Sequence, residues 1–462
     1  MNLSNIHDSS FRDPNGFLFF EGKKLYRQIN NLYQKDYELL INSGLYKALC
    51  EKELLVMHRE IENHKGLNND TYKVIEPEKI SFISYPYEWS FSQLQDAALT
   101  TLKIQKIALQ HGMTLKDGSA YNIQFLNGKP IFIDTLSFEK YTEGKPWEAY
   151  KQFCQHFIAP LSLMSFTDIR LNQLLKLYID GIPLDLASSL LPFKTRTNFL
   201  LLMHIHLHAR SQKKYESKGS ASKNIKIKLS NLMALIDSLT YMVRKFQLKS
   251  QNTEWGDYYT FTNYNNRSFT HKKEIIARYL NDFNPKTLWD LGANTGEFTR
   301  IASQQGINCI AFDIDPLAVE SNYNFIKQHK INNLLPLVMD LTNPSSSIGW
   351  NNQERMAMTK RTRSDAILAL ALIHHLAISN NLPFFRIAQF FSELSDNLII
   401  EFVPKTDSQV KKLLESRKDI FQEYDEFHFE KEFSVFFEIC AKDKIEESER
   451  TAYRMIRKIG NV

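Results

Sequence analysis

From residue 287 onward, apolar runs of strand length alternate with segments whose apolar residues recur at helical spacing. The runs at 287–290, 308–313, 334–339, 366–373, 397–402 and 433–440 predict strands, most of them separated by helical patterns. Strand and helix in alternation predict an α/β domain with a doubly wound, mostly parallel sheet. The run at 366–373 is apolar enough for a central strand covered on both faces.

The first part of the chain is patterned differently. Pro14, Asn15 and Gly16 mark one turn and Gly22 another, bracketing a short strand that leads into a helical segment, with a further short strand near 80–84. Leu94, Ala97, Ala98, Leu102, Ile107 and Ala108 predict a helix over 92–110, closed by Gly112. Asn127 and Gly128 form a hairpin turn between β-like runs at 121–125 and 130–133, and the remainder to His208 reads as helix. The stretch ARSQKKYESKGSASKNIKIK, 209–228, replaces apolar periodicity with lysines, serines and a glycine, as a solvated connector does. Beyond it Leu232, Leu235, Ile236, Leu239 and Val243 predict a helix bridging two halves. The expected organisation is an α+β domain over 1–215, a linker and bridging helix over 216–254, and the α/β domain over 255–462.

A chain of 462 residues, 43% hydrophobic and 24% charged, is long enough for two or three cores. The net charge of +5 is spread rather than concentrated, so no nucleic-acid partner is indicated. Cys50, Cys154, Cys309 and Cys440 lie far apart with no CxxC pair, which suggests neither a disulfide framework nor a zinc site. The opening residues carry no basic segment followed by an apolar one, and no apolar run approaches the length of about 18 needed to span a bilayer. A soluble cytoplasmic protein without membrane contact is expected.

Candidate chemistry concentrates in TLWDLGANTGEFTRIA, where a strand runs to Asp290 and the chain turns through Gly292, Ala293, Asn294, Thr295 and Gly296 into a helix. Such a turn lets a ligand approach bare backbone and a helix N-terminus. The spacing is not the GxGxxG of dinucleotide sites. It resembles the D-x-G-x-x-x-G first motif of class I S-adenosylmethionine-dependent methyltransferases. That resemblance implies a Rossmann-like sheet and S-adenosyl-L-methionine as cofactor, held by Asp290, Gly292, Asn294 and Gly296. It further implies that Asp313, ending CIAFDID, takes the two ribose hydroxyls and that Asp340, ending LPLVMD, reads the adenine amino group. Asp315 is expected to cap a helix. His374 and His375, after the fourth strand, and Glu401, in LIIEFVP, are the candidate catalytic residues: a base and an acceptor-binding carboxylate.

The segments WDLGANTGEFTRIA, AFDIDPLAVESNY, PLVMDLTNPSSSIGW, LALALIHHLAIS and IIEFVPKTDSQV resemble, more specifically, the NoeA-like bacterial methyltransferases. The resemblance implies methyl transfer to an unidentified small-molecule or glycan acceptor, and a late antiparallel strand from SERTAYRMIRK. It also implies a lid helix from WGDYYTFTNYNNRSFTHKKE, with Lys272 or Lys273 in reach of the cofactor carboxylate; a solvated face is the expected place of both lysines.

Asp117, Asn122 and Asp134 resemble the D-x-x-x-x-N loop and metal aspartate of kinases, which implies a base and two magnesium ligands. Leu115 and Lys116 stand where those enzymes carry His-Arg, and Thr135 and Leu136 follow the aspartate in place of Phe-Gly. Residues 1 to about 215 are therefore read as a kinase-like fold in structural or substrate-binding use, with phosphotransferase activity, or cofactor binding without turnover, as the alternatives. In MHIHLHAR, His204, His206 and His208 are expected on a helix and not as metal ligands.

Overall fold

The structure, a computed structural model, describes residues 6–208, 226–248, 266–415 and 418–458. Most of the expected connector, and the chain from Trp255 to residue 265 that opens the predicted lid segment, lie outside the described residues. The chain divides into two compact units, Met1–Gln251 with Ser347–Met356, and Asn252–Ser346 with Ala357–Val462.

In the first unit, β1 (Gly16–Glu21), β2 (Lys24–Asn30), β3 (His58–Glu60) and β4 (Thr71–Pro77) form an antiparallel sheet in the order β1-β2-β4-β3. The helical segment expected after Gly22 is instead strand β2. Its polar Arg27 and Gln28 are buried, Arg27 on Asp134 and Gln28 against Asn30 and Asn68, so the strand carries little of the alternation that reveals strands. The strand expected near 80–84 is an extended loop, where the Gln124 side chain accepts from the Ser84 N–H at 2.9 Å.

Helix α1 (Phe91–Gln110) opens on a capping box between Ser90 and Gln93. It is followed by β5 (Met113–Leu115), the hairpin β6 (Ile123–Leu126) and β7 (Lys129–Phe132), and β8 (Phe138–Lys140), which pairs with β5. Asn127 and Gly128 turn the hairpin with φ of 51° and 73°. Short helices carry the chain to His208. Helix α2 (Leu229–Lys245) buries Leu232, Ile236, Leu239 and Val243 and is tied to α1, whose Gln95 donates to the Val243 carbonyl at 2.7 Å.

The second unit opens with α3 (Asn266–Phe283) and is built on β9 (Thr287–Leu291), β10 (Asn308–Asp313), β11 (Leu334–Val338), β12 (Ser364–Ala369), β13 (Ser395–Phe402), β14 (Phe437–Lys444) and β15 (Thr451–Arg457). These form one sheet in the order β11-β10-β9-β12-β13-β15-β14. Counted within the unit, that is 3-2-1-4-5-7-6, a doubly wound order closed by the antiparallel pair. Strands β9 to β13 are parallel, and β15 runs antiparallel to both β13 and β14. Helices α4 (Glu297–Gln304), α5 (Pro316–His329) and α6 (Phe384–Leu394) follow β9, β10 and β12 in the chain. Strand order reverses between β9 and β12, and a ligand crevice forms at the carboxyl ends of strands at such a point.

Two expected strands end differently. The run predicted at 366–373 leaves the sheet after Ala369, and Ala371 takes a left-handed φ of 49°, so 370–372 become a loop at the crevice and Ile373 already opens the next helical turn. The run predicted at 433–440 begins in a helix, Glu426–Phe433, and β14 starts only at Phe437. Among the described residues no helix is long and apolar enough to cross a membrane.

Candidate cofactor and active site

The glycine loop leaves β9 at Leu291 and enters α4 at Glu297. The N–H groups of Gly292 and Ala293 both donate to the Phe312 carbonyl at 2.9 Å, stitching the loop to β10. Gly292 and Gly296 have φ of 78° and 80°, a region that glycine enters without strain. A side chain at Gly296 would also collide with the Asn322 amide. The first turn of α4 aims its N–H groups along this loop.

Asp290 is buried beneath the loop and accepts from the Thr299 hydroxyl. Burial pushes its carboxyl up to about 7, with the Thr299 bond and nearby Lys272 pulling down and Asp313 adding to the rise. Asp313 holds the loop from the next strand: Oδ2 accepts from the Asn294 N–H at 2.7 Å and Oδ1 from the Asp315 N–H at 2.8 Å. Burial lifts Asp313 to about 6 against those bonds. Asp315 caps α5 by accepting from Leu317 N–H.

Asp340 lies just beyond β11, where Oδ1 accepts from the Thr342 N–H and hydroxyl at 2.8 and 2.7 Å. Asp290, Gly292, Asn294, Asp313 and Asp340 line one cavity. Apolar residues complete its wall, among them Ile314, Met339 and Leu341. Ile314 is 59% exposed, although it sits between two acids at a strand end. It is not among the residues singled out from the sequence; an apolar residue between two acids at a strand end was the available sign.

The candidate catalytic residues separate. His375 faces the cavity, and burial together with Arg450 takes its imidazole down to about 4. His374 is fully buried behind it, ring centroids 4.1 Å apart, with neither ring nitrogen hydrogen-bonded. Burial holds His374 well below the ordinary imidazole range. Glu401 is sealed from solvent and off the cavity wall: Oε2 accepts from Lys272 Nζ at 2.6 Å and from the Ala371 N–H at 2.7 Å. Lys272 is no solvated residue. It is 2% exposed, lies over the Phe298 ring and lines the cavity beside Asp290. Lys273 is partly exposed and meets Glu297 at 3.3 Å.

Across 456 residues the chain is 33% identical to nodulation protein NoeA of Rhizobium meliloti, an alignment that covers 97% of this chain and 95% of the relative. The chain belongs to the NoeA family. No protein-family model matches this NoeA-family chain. Solved structures similar to it include N-methyltransferase NodS of Bradyrhizobium japonicum, at 10% identity over 42% of this chain and 98% of that one, with a TM-score of 0.32. Magnesium protoporphyrin IX methyltransferase (ChlM) of Synechocystis is 16% identical over 46% of this chain and 92% of that one, with a TM-score of 0.31.

In the first unit of this NoeA-family chain, Asp117, Asn122 and Asp134 do come together. Asp134 Oδ1 pairs with Arg27 Nη1 at 2.6 Å, and its other oxygen accepts from Ser137 Oγ. Asn122 donates to that same Ser137 hydroxyl at 3.3 Å. Asp117 accepts from the Ser119 N–H, and burial, then Asp134, raise its carboxyl above the usual range. Lys73 is paired with Glu60 at 2.6 Å. The histidines near 204 lie in a π-helical turn, Leu202–Leu207, where His206 bonds Ser188 and Thr195, and His204 bonds Tyr150.

Proposed function

We propose that this chain transfers a methyl group from S-adenosylmethionine to a small-molecule or glycan acceptor. One observation carries the reading: three carboxylates from three successive strand ends, Asp290, Asp313 and Asp340, line the same cavity as the glycine loop. The donor set suits a cationic sulfonium ligand that bears an amine and two ribose hydroxyls and has no phosphates. Asp313 lines the cavity as the acceptor for the hydroxyl pair, and Asp340 is placed for an exocyclic amine, with Ile314 and Met339 as apolar wall for a base. Gly292 and Asn294 bring backbone to the cavity wall, while Gly296, off that wall, turns the loop into α4. Lys272 is placed for its carboxylate.

Bound there, the cofactor would supply an electrophilic methyl carbon to an acceptor lone pair, with the sulfur as leaving group. The protein's part is alignment and exclusion of water. His375, uncharged at neutral pH, accepts a hydrogen bond from the acceptor's N–H or O–H. Glu401 acts through Lys272, holding its ammonium in place.

The kinase-like reading of the first unit we retain as a fold without phosphotransfer. Arg27 already supplies the positive charge that a metal ion at Asp134 would bring. Calorimetric titration of the chain with S-adenosylmethionine tests the proposal. Binding that Asp313→Ala weakens at least about a hundredfold supports it, given what two strong hydrogen bonds to a carboxylate contribute. No heat with the native chain, or equal affinity in the variant, removes it.

A further inference from the structure

The end of the first unit carries an apolar face that its own core does not cover. Phe199, Met203 and Leu207 recur at four-residue intervals along the helical turns after Asn198 and are exposed, Phe199 at 70%. The opposite side of the same turns is core: Leu201 and Ile205 are buried. The helix Leu184–Leu190 and the turn Phe193–Thr197 pack against these residues. They add exposed Leu190 and Phe193, the latter at 77%. Two large aromatic side chains left this open do not serve the fold, and clustered exposed apolar residues mark a docking surface.

Charge decides what docks. No Asp or Glu occurs between Leu186 and His208, whereas Lys194 and Arg196 are both exposed, Arg196 lying 5.3 Å from the centre of the Phe193 ring. Aromatic and aliphatic side chains beside two exposed cations, with Asp185 at the start of the helix Leu184–Leu190 the one acid in these elements, match a surface with hydrocarbon beneath a negative layer.

We propose that this face docks on the surface of an anionic lipid bilayer, without crossing it. Phe193 and Phe199 enter the boundary between headgroups and acyl chains, while Lys194 and Arg196 meet lipid phosphates. Such binding needs both contributions, since neither a small apolar patch nor two cations alone holds a chain at a membrane.

The test is flotation of the full chain with vesicles of phosphatidylcholine alone and with vesicles in which phosphatidylglycerol replaces part of it. The native chain is expected to float with the anionic vesicles only, and less as salt is raised. Lys194→Gln with Arg196→Gln, and separately Phe193→Ser with Phe199→Ser, are each expected to weaken that binding at least about tenfold. All four positions are exposed, so an unchanged circular dichroism spectrum and melting midpoint are expected for both variants. Failure of the native chain to float with either vesicle, equal flotation with neutral vesicles, or variants that float like the native chain would each overturn the proposal. Sedimentation velocity covers the remaining occupant. A native dimer that Phe193→Ser with Phe199→Ser dissociates would assign the face to a second copy instead.

Discussion

Lys272 Nζ lies 2.6 Å from Glu401 Oε2, with the two side chains 2% and 0% exposed. Glu401 also faces Arg450 at 3.6 Å, and Arg450 pairs with Asp407 at 2.8 Å. Glu401 is therefore a single anion held between two buried cations. Replacing it with Gln strands Lys272, while Arg450 keeps Asp407, and unfolding in urea is expected to show a loss of about 3 to 5 kcal/mol, the range for breaking a buried pair from one side. Lys272→Met is expected to cost less, because Arg450 still balances Glu401. A loss below about 1 kcal/mol for Glu401→Gln would place the pair with exposed ion pairs and sink this account.

Asp290 and Asp313 set a pH dependence whose direction is opposite to that of ordinary paired carboxylates. Their folded values, about 7 and about 6, lie above the ordinary aspartate value of 3.8, so the folded state binds more protons across that interval. Stability of the ligand-free chain is thus fully present below about pH 4 and lost as pH rises through 6 to 7, as far as these two groups decide it. Asp290→Asn is expected to flatten that slope in melts recorded between pH 4 and 8. A cationic ligand favours the ionised forms, so S-adenosylmethionine is expected to bind more tightly at pH 8 than at pH 6, with proton release. Buffers of different ionisation enthalpy in calorimetry read that release directly.

Two glycines with nearly the same backbone angle separate strain from collision. Gly296 and Gly306 have φ of 80° and 82°, but only Gly296 has a neighbour where a side chain would go, the Asn322 amide. Gly306→Ala is expected to lose about 1 to 2 kcal/mol in thermal or urea unfolding, the cost of a left-handed backbone. Gly296→Ala is expected to lose more and to weaken S-adenosylmethionine at least about tenfold, because Asn322 or the loop has to move. Equal effects of the two would mean that the contact with Asn322 does not hold the loop.

Arg27 and Asp134 bear on whether the first unit handles nucleotide. With Arg27 8% exposed and 2.6 Å from the carboxylate, removing the acid leaves the buried guanidinium with the longer contact to Asp13 at 3.9 Å. Asp134→Ala is expected to destabilise the chain by about 3 kcal/mol or more and to leave calorimetric titration with magnesium-ATP as silent as in the native chain. Magnesium-ATP binding that disappears in the variant would restore the phosphotransferase reading.

Sequence periodicity reported the second unit well because its strands are apolar throughout and its acids stand at their ends. A covered parallel sheet permits little else, and β10 carries its predicted bounds. The first unit was harder to read for a matching reason. In β2, Arg27 and Gln28 are buried on partners more than a hundred and about forty residues away, Asp134 and Asn68, so local hydropathy says nothing of their burial. Lys272 is the intermediate case. It stands three and four residues before buried Ile275 and Ile276, on the inner stripe of α3, and that spacing was legible, but its charge argued for solvent.

The sequence by itself determined the order of strands and helices in the second unit, the glycine turn, and the three acids that follow successive strands. Each of these rests on local patterning that a covered sheet imposes. Tertiary structure alone decided which of the candidate groups reach the cavity. The left-handed turn at Ala371 carries 370–373 out of the sheet, so His375 faces the cavity and His374 the core. Glu401, far from Lys272 in the chain, is drawn onto it because a charge buried by packing must find its opposite among whatever the fold brings near.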